Sequence, residues 1–376
     1  MPALFDPFTL KDVTLRNRIM VSPMCQYSAE DGRINDWHFA HLAGLARGGA
    51  GLVVAEAAAV SPEGRITPAD AGIWTDEQAG LWAKAAGLIA AGGAVPGIQI
   101  AHAGRKANAN RPWEGDDHIP LEDPRAWETL APSALAQGGG LWRTPREMIL
   151  ADIARVQADF VAAAARARDA GFRWLELHFA HGYLAQSFFS RHANRRTDQY
   201  GGDFENRIRF ALETVRAVRE VWPANLPLTA RLGLIEFAAG DDLDESLEYV
   251  RRLKAEGLDL ADVSIGFTAP DAAIPWGPGF LAPLSGRVRT EAAIPTATSW
   301  YISEPQQAEA IVASGQADLV ALGRPLLEDP HWPYRAAREL GIDKAAWTTL
   351  PAPYAHWLDR YRPARDPVAQ PADVAA

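Results

Sequence analysis

Cysteine is nearly missing from this 376-residue chain: Cys25 stands alone. No internal disulfide can form, and no iron–sulfur cluster, which takes several thiolates, can be held. Basic residues are also short, with 37 Lys and Arg against 47 Asp and Glu, a net charge of −10. A surface of that sign argues against nucleic acid as a partner. No run of about 18 apolar residues exists to span a membrane. The opening, Met1-Pro2-Ala3-Leu4-Phe5-Asp6-Pro7, has neither the basic segment nor the apolar stretch of a secretory signal. A cytoplasmic chain is expected, with no membrane partner. What the chain does have is apolar content (48%), enough for a large core, and thirteen tryptophans. Most of these will pack, although aromatic walls also line flat ligand pockets.

Short apolar runs alternate with longer amphipathic ones. Strands are expected at Ile19–Val21, Leu52–Ala57, Val95–Ile100, Leu175–His178, Leu228–Leu232, Leu260–Ser264, Ile294–Thr298 and Leu319–Leu322. Helices are expected between them, at Trp37–Ala46, Glu77–Ala91, Asp152–Ala170, Phe204–Val221, Leu243–Glu256, Gly286–Ala292 and Glu304–Ser314. In the third of these, Ile153, Val156, Phe160, Val161 and Ala164 recur on one face, with Asp152 as the expected N-cap and Gly171 as the stop. Eight strands alternating with helices fit an α/β fold of the (β/α)8 TIM-barrel type. An open doubly wound sheet would show a Gly-rich turn after its first strand, and none is present. Residues 101–151, rich in Pro, Gly, Trp and Asp, read as an excursion over the barrel mouth. One domain is expected over 1–362, with 363–376 a disordered tail.

The fourth strand ends in Leu177-His178-Phe179-Ala180-His181-Gly182-Tyr183. A lone histidine at a strand end is ordinarily a satisfied structural residue. Two imidazoles can also hold an anionic oxygen between them, with a phenol beside them to give up a proton. His-x-x-His could instead be half a metal site, but no Asp or Glu follows within ten residues and only His102 offers a further ligand. That weakens a metal-dependent hydrolase, and no metal is expected. A barrel with a binding role only would leave Tyr183 idle. Barrel enzymes carry their chemistry at the C-terminal ends of the strands. Polar groups converge there: Cys25, Gln26 and Tyr27 after the first strand, Gln99, His102, Arg105 and Lys106 from the third, Arg231 on the fifth, and Gly323-Arg324 after the eighth.

In these stretches the chain resembles the Old Yellow Enzyme family of FMN-dependent ene-reductases, from Leu4 to about Arg362. The matching pieces are Leu15-Arg16-Asn17-Arg18, Pro23-Met24-Cys25-Gln26-Tyr27, Gln99 to Lys106, His178 to Tyr183, Asn194 to Gly202 and Gly323-Arg324. Cys25 with Tyr27 is similar to the subgroup that carries a cysteine near the flavin. The 101–151 segment and the ending Pro351 to Trp357 look most like the xenobiotic reductases within it. A dienoyl-CoA reductase of the usual form would need a cluster that one cysteine cannot hold, and dihydroorotate-type enzymes would lack the His-x-x-His pair.

The resemblance implies FMN as cofactor and NADPH or NADH as hydride donor, with an electrophilic alkene as the small-molecule substrate. Pro23, Met24, Cys25 and Ala57 would lie along the flavin ring, Gln99 at its pyrimidine edge, and Arg231 near N1. The phosphate would meet Gly323, Arg324, Tyr301 and Ile302. His178 and His181 would hold the substrate oxygen and Tyr183 would protonate the α-carbon, in a ping-pong cycle. Enones, and also nitro compounds or nitrate esters, offer such an oxygen. Tyr27, Ile66, Lys106, Trp300 and Trp357 would line the pocket, and Trp357 in its C-terminal extension points to a homodimer. One departure is expected to matter. The family's phosphate loop contains glycine, and here the stretch is Ser299-Trp300-Tyr301-Ile302-Ser303-Glu304.

Overall fold

The computed structural model describes residues 1–361, so the expected tail lies outside the described residues. Eight parallel strands close into a barrel. They are β1 (Ile19–Val21), β2 (Leu52–Ala59), β3 (Val95–Ala101), β4 (Trp174–Phe179), β5 (Leu228–Ile235), β6 (Leu260–Ile265), β7 (Thr296–Thr298) and β8 (Leu319–Leu322), with β8 pairing back onto β1. The strands are buried almost throughout, which is why they read as continuous apolar runs and not as alternation. The seventh strand starts two residues later than its apolar pattern suggests, because Pro295 has no N–H to give the ladder.

Helices follow each strand on the outside: α1 (Asp36–Arg47), α2 (Asp76–Ala91), α3 (Leu150–Asp169), α4 (Phe204–Val221), α5 (Leu243–Ala255), α6 (Ala282–Glu291), α7 (Pro305–Ala313) and α8 (Trp332–Glu339). The inner face of α3 buries Ile153, Val156, Phe160 and Ala164 as the spacing predicts, with Val161 only partly buried. The expected cap is corrected. Ile149 occupies the N-cap position, and Asp152 sits three residues on, where its carboxylate accepts the Ile149 N–H at 2.9 Å. Asp152 also holds Arg146 at 2.7 Å, and that second bond places it inside the first turn and not before it. Gly171 stops the helix with a φ of +88°.

An antiparallel hairpin, Phe8–Leu10 with Val13–Leu15, closes the N-terminal end of the barrel. Its Phe8, Val13 and Leu15 pack against Met20, Leu52, Trp174, Leu260 and Leu319. With that end sealed, ligands can enter only from the other. The 101–151 excursion does lie over that end. Its Lys106 ammonium donates to the His181 carbonyl at 3.0 Å, and Gln137 Nε2 donates to the Phe267 carbonyl at 2.9 Å. Among the described residues, no helix is long and apolar enough to cross a membrane.

Candidate active site

At the C-terminal end of the barrel a cavity of about 770 Å³ opens between β1, β5, β7 and β8. Its walls include Pro23, Met24, His181, Arg231, Trp300, Tyr301, Ile302, Gly323 and Arg324, nine of the residues that the sequence nominates. A volume of that size suits a cofactor with room beside it. Ala57, Ile66, His178 and Tyr183 line a narrow pocket adjoining it, together with Asp70.

The turn after β4 aims the imidazoles. His181 takes a left-handed φ of +62° and its N–H is pinned to the Ile265 carbonyl at 3.1 Å. Gly182 follows at +73°, and a Cβ there would lie 2.9 Å from the Phe267 carbonyl, so glycine is required for the two loops to approach. The His178 and His181 rings stand perpendicular with centroids 4.9 Å apart, and the Tyr183 ring lies 4.9 Å from His178. Burial first, then Arg231 and Lys106, hold His178 well below the usual imidazole range; burial, then His178, does the same to His181. Both rings are therefore neutral at pH 7. Burial, then Cys25, Asp70 and Asp116, push the Tyr183 phenol well above its usual value. It stays a proton donor across the working range of pH.

Ser264, at the end of β6, holds the His181 ring. Its hydroxyl accepts from Trp300 Nε1 at 3.1 Å and lies 2.7 Å from His181 Nε2. Its own proton has only that ring nitrogen as a recorded acceptor. That arrangement favours His181 Nε2 as the acceptor, which leaves Nδ1–H to donate to a ligand. His178 Nδ1 is buried with no hydrogen-bond partner among the described residues, an orphan of the kind that a bound ligand satisfies.

Deeper in the barrel, Arg231 Nε lies 2.6 Å from Asp262 on β6, and the guanidinium also donates to Ser22 at 2.9 Å. Gln99, on β3, is buried and donates to Glu176 at 2.8 Å. At the cavity's other end, Ser303 and Glu304 lead into the N-terminus of α7. Helix N-termini favour anions. The Arg324 side chain is exposed and makes no hydrogen bond or ion pair to another described residue. Glu304 is exposed as well and its side chain caps nothing, so it can stay clear of an anion held by backbone donors. The missing glycine is explained. Trp300 and Tyr301 adopt φ of +74° and +52°, the left-handed geometry that glycine would supply. Orphan polar atoms at the ring end, an unpaired guanidinium at the helix end and the volume between them together fit FMN.

The remaining nominated residues fall around this core. Cys25 is half-buried, and burial followed by the Asp70 and Glu56 carboxyls pushes its thiol well above its usual value, so it is a thiol and not a nucleophilic thiolate. Tyr27 touches Cys25 and meets Trp113 edge-on at 5.9 Å. The Lys106 ammonium lies over the Tyr183 ring at 4.8 Å. Trp357 is not brought to the cavity: it is 70% exposed on a C-terminal helix, Ala352–Leu358. Sequence reasoning missed Ser264, Asp262 and Glu176, and the Phe267 and Trp276 rings that join the expected Trp300 in an aromatic wall beside His181. A charge inside an apolar run, as in Leu260-Ala261-Asp262-Val263, was the one available signal. Among the described residues no group of three His, Cys, Asp or Glu side chains is placed to hold a metal ion.

The chain is similar to known proteins in sequence and in fold. The sequence profile described as the NADH:flavin oxidoreductase / NADH oxidase family matches residues 3–342. An NADPH dehydrogenase of Geobacillus sp. (strain WCH70) is 43% identical over 346 residues, covering 91% of this chain and 96% of that protein. Morphinone reductase, solved in complex with tetrahydroNAD, aligns with a TM-score of 0.73 at 29% identity, over 91% of this chain and 92% of its own. A 2-naphthoyl-CoA reductase aligns at 0.81 with 26% identity over 90% of this chain, which spans 52% of that longer one. The chain belongs to the NADH:flavin oxidoreductase / NADH oxidase family and is an FMN-dependent, NAD(P)H-driven oxidoreductase of the Old Yellow Enzyme type.

Proposed function

We propose that this enzyme reduces the activated C=C bond of α,β-unsaturated carbonyl compounds in a ping-pong cycle. The observation that carries the reading is the set of two neutral imidazoles, the buried His178 and the half-buried His181, and one half-buried phenol grouped at the wall of the cavity. FMN, when bound, supplies the two-electron store between the nicotinamide donor and the alkene. The chain does the rest. His181 Nδ1–H and the His178 ring grip the carbonyl oxygen, and each such donor is worth roughly 10²–10³ in rate. Withdrawing electrons through that oxygen makes the β-carbon electrophilic. Tyr183 delivers the proton to the α-carbon, and Arg231 supplies the fixed positive charge that favours a reduced, anionic cofactor. Trp300, with Phe267 and Trp276, excludes water from one side of the substrate. Nitro groups and nitrate esters present the same kind of oxygen and fall within this reading.

The C-terminal helix supports a homodimer. Trp347, Tyr354 and Trp357 are 47%, 38% and 70% exposed on neighbouring short helices, an apolar surface that a second copy would cover. Sedimentation of Trp357→Ala against the parent protein tests it.

The central test is an anaerobic absorption spectrum of the purified protein. Flavin bands that bleach with NADPH and return with 2-cyclohexenone are expected. A flavin that bleaches but is reoxidised only by oxygen, under every enone tried, would sink the ene-reductase reading.

A further inference from the structure

One ionisable group inside the barrel has no task in the reading above. Glu176 lies on β4 two residues before His178, so both side chains point into the barrel. It is fully buried. Its Oε1 accepts a hydrogen bond from Gln99 Nε2 at 2.8 Å, while Oε2 is buried with no hydrogen-bond partner among the described residues.

The groups facing it are few. Gln99 comes from β3, Arg231 from β5 and Asp262 from β6; β7 turns the uncharged Ala297 inward, and His178 on its own strand is neutral. Two carboxyls thus share one guanidinium, and Asp262 has it, at 2.6 Å. Asp262 is therefore the ionised member, since breaking a buried pair strands a charge. Burial first, then the Asp262 charge, push the Glu176 carboxyl up to about 8, with Arg231 and Gln99 pulling the other way.

We propose that Glu176 is a positioning residue that orients the Gln99 amide and takes up a proton when reduction of the bound flavin places negative charge beside Arg231. The proposal rests on FMN occupying the cavity as described. With Gln99 Nε2 committed to Glu176, its carbonyl oxygen is left to accept from the ligand. The proton follows from Coulomb's law, because a new negative charge near a carboxylate raises its affinity for protons. The balance closes. Above about pH 8, where Glu176 starts as a carboxylate, the nicotinamide gives up two electrons and one proton as a hydride in the reductive half-reaction, and Glu176 takes one proton from solvent. In the oxidative half-reaction the hydride goes to the alkene, Tyr183 gives the second hydrogen as a proton and is reprotonated from solvent, and Glu176 returns its proton to solvent.

The test is the flavin midpoint potential of the holoenzyme, titrated from about pH 7 to about pH 10 so as to bracket the raised carboxyl. A two-electron couple that takes up one proton shifts by about 30 mV per pH unit, and by about 59 mV when it takes up two. Below about pH 8 Glu176 is already protonated in both redox states and adds nothing. Above it, the parent protein should steepen from the first slope to the second. Glu176→Gln, whose amide oxygen can still accept from Gln99, should hold the shallow slope throughout. No steepening in the parent, or the same steepening in the variant, overturns the proposal. Should the variant not fold, the infrared difference spectrum of the parent above pH 8 decides: a carboxylic-acid carbonyl band must grow on reduction and shift in heavy water, and its absence overturns the proposal. A preparation that cannot be loaded with FMN removes both this proposal and the functional reading, whereas flavin that cycles with equal slopes removes only the role of Glu176.

Discussion

Replacing Tyr183 by Phe isolates one oxygen atom. The ring is half-buried, packs against His178 at 4.9 Å, and carries the Lys106 ammonium over its face at 4.8 Å. Phenylalanine keeps each of these contacts. No hydrogen bond of the phenol to a described residue is recorded, so its removal orphans no protein group and should cost less than about 1 kcal/mol of stability. Catalysis should respond differently. A positioned general acid contributes roughly 10²–10⁴ in rate, which is about 3–5 kcal/mol of barrier. That loss should fall on the oxidative half-reaction alone, because the nicotinamide step requires no proton from the phenol. Stopped-flow absorbance separates the two half-reactions. The oxidative rate with 2-cyclohexenone should drop by at least about a hundredfold, with the reductive rate by NADPH within a few-fold of the parent. Since the phenol is held far above its usual value, the parent's oxidative rate should show no break from Tyr183 ionisation between neutral pH and pH 9. Equal slowing of both half-reactions, or an oxidative rate that does not move, refutes the assignment of Tyr183 as the acid.

Other perturbations read other parts of the site. Arg324→Gln removes an unpaired guanidinium from the helix end of the cavity; with charge-assisted bonds worth about 1.5–3 kcal/mol, FMN should bind roughly 10- to 150-fold more weakly to the apoprotein by fluorescence titration. Unchanged affinity would place the phosphate elsewhere. Ser264→Ala frees the tautomer of His181 and should raise KM for the enone with little effect on reduction by NADPH; an unchanged KM would remove the serine from the orientation of that ring. Glu56→Gln tests a buried carboxyl that burial pushes up to about 8. A raised carboxyl is bound by its proton more tightly in the folded than the unfolded state, so its ionisation opposes folding as pH rises from about 4.5 to about 8. The variant should gain stability over the parent across that window, by up to a few kcal/mol, and the gain should be flat above it. Urea melts at several pH values check the slope, and a gain that shrinks as pH rises would refute the sign.

The barrel was legible because parallel strands buried on both faces leave unbroken apolar runs, each closed by glycine, proline or a polar pair. Leu319–Leu322 and Ile19–Val21 could be placed to the residue on that basis. The short helices were not legible. Arg324–Glu328 and Ala345–Thr349 are too brief to show a 3.6-residue period, and α8 is held by tertiary contacts, with Trp332 fully buried and donating to the Ser303 carbonyl at 2.7 Å. The same division runs through the site. His178, His181 and Tyr183 sit within six positions, so one strand and one turn bring them together. Ser264 acts on His181 across 83 residues of sequence, and Asp262 on Arg231 across 31; nothing local marks Ser264, and a charge inside an apolar run marks Asp262 without naming its partner. Pairing across the barrel, which sequence spacing does not encode, decides both.

The Trp300–Tyr301 pair shows how the two halves of the site are joined. Two consecutive non-glycine residues in left-handed geometry cost on the order of 1–3 kcal/mol each. Glycines would remove that cost but could not do what these side chains do. Trp300 donates to Ser264 at 3.1 Å and packs against His181 and Phe267, while the Tyr301 carbonyl accepts from the Gly279 N–H at 3.1 Å and from Gln307 at 2.9 Å. Those contacts hold the strained turn in place. They also mean that one segment forms the cofactor's loop with its backbone and the substrate's wall with its indole. Trp300→Gly therefore has opposite consequences for the two. Relief of strain should offset part of the stability lost with the indole's packing, and FMN affinity should stay close to that of the parent. Loss of the indole should remove the Ser264 donor and open the wall, raising KM for small enones while admitting bulkier ones. Falling FMN affinity with unchanged enone KM would show that Trp300 belongs to the loop and not to the wall, and the link between the two would be broken.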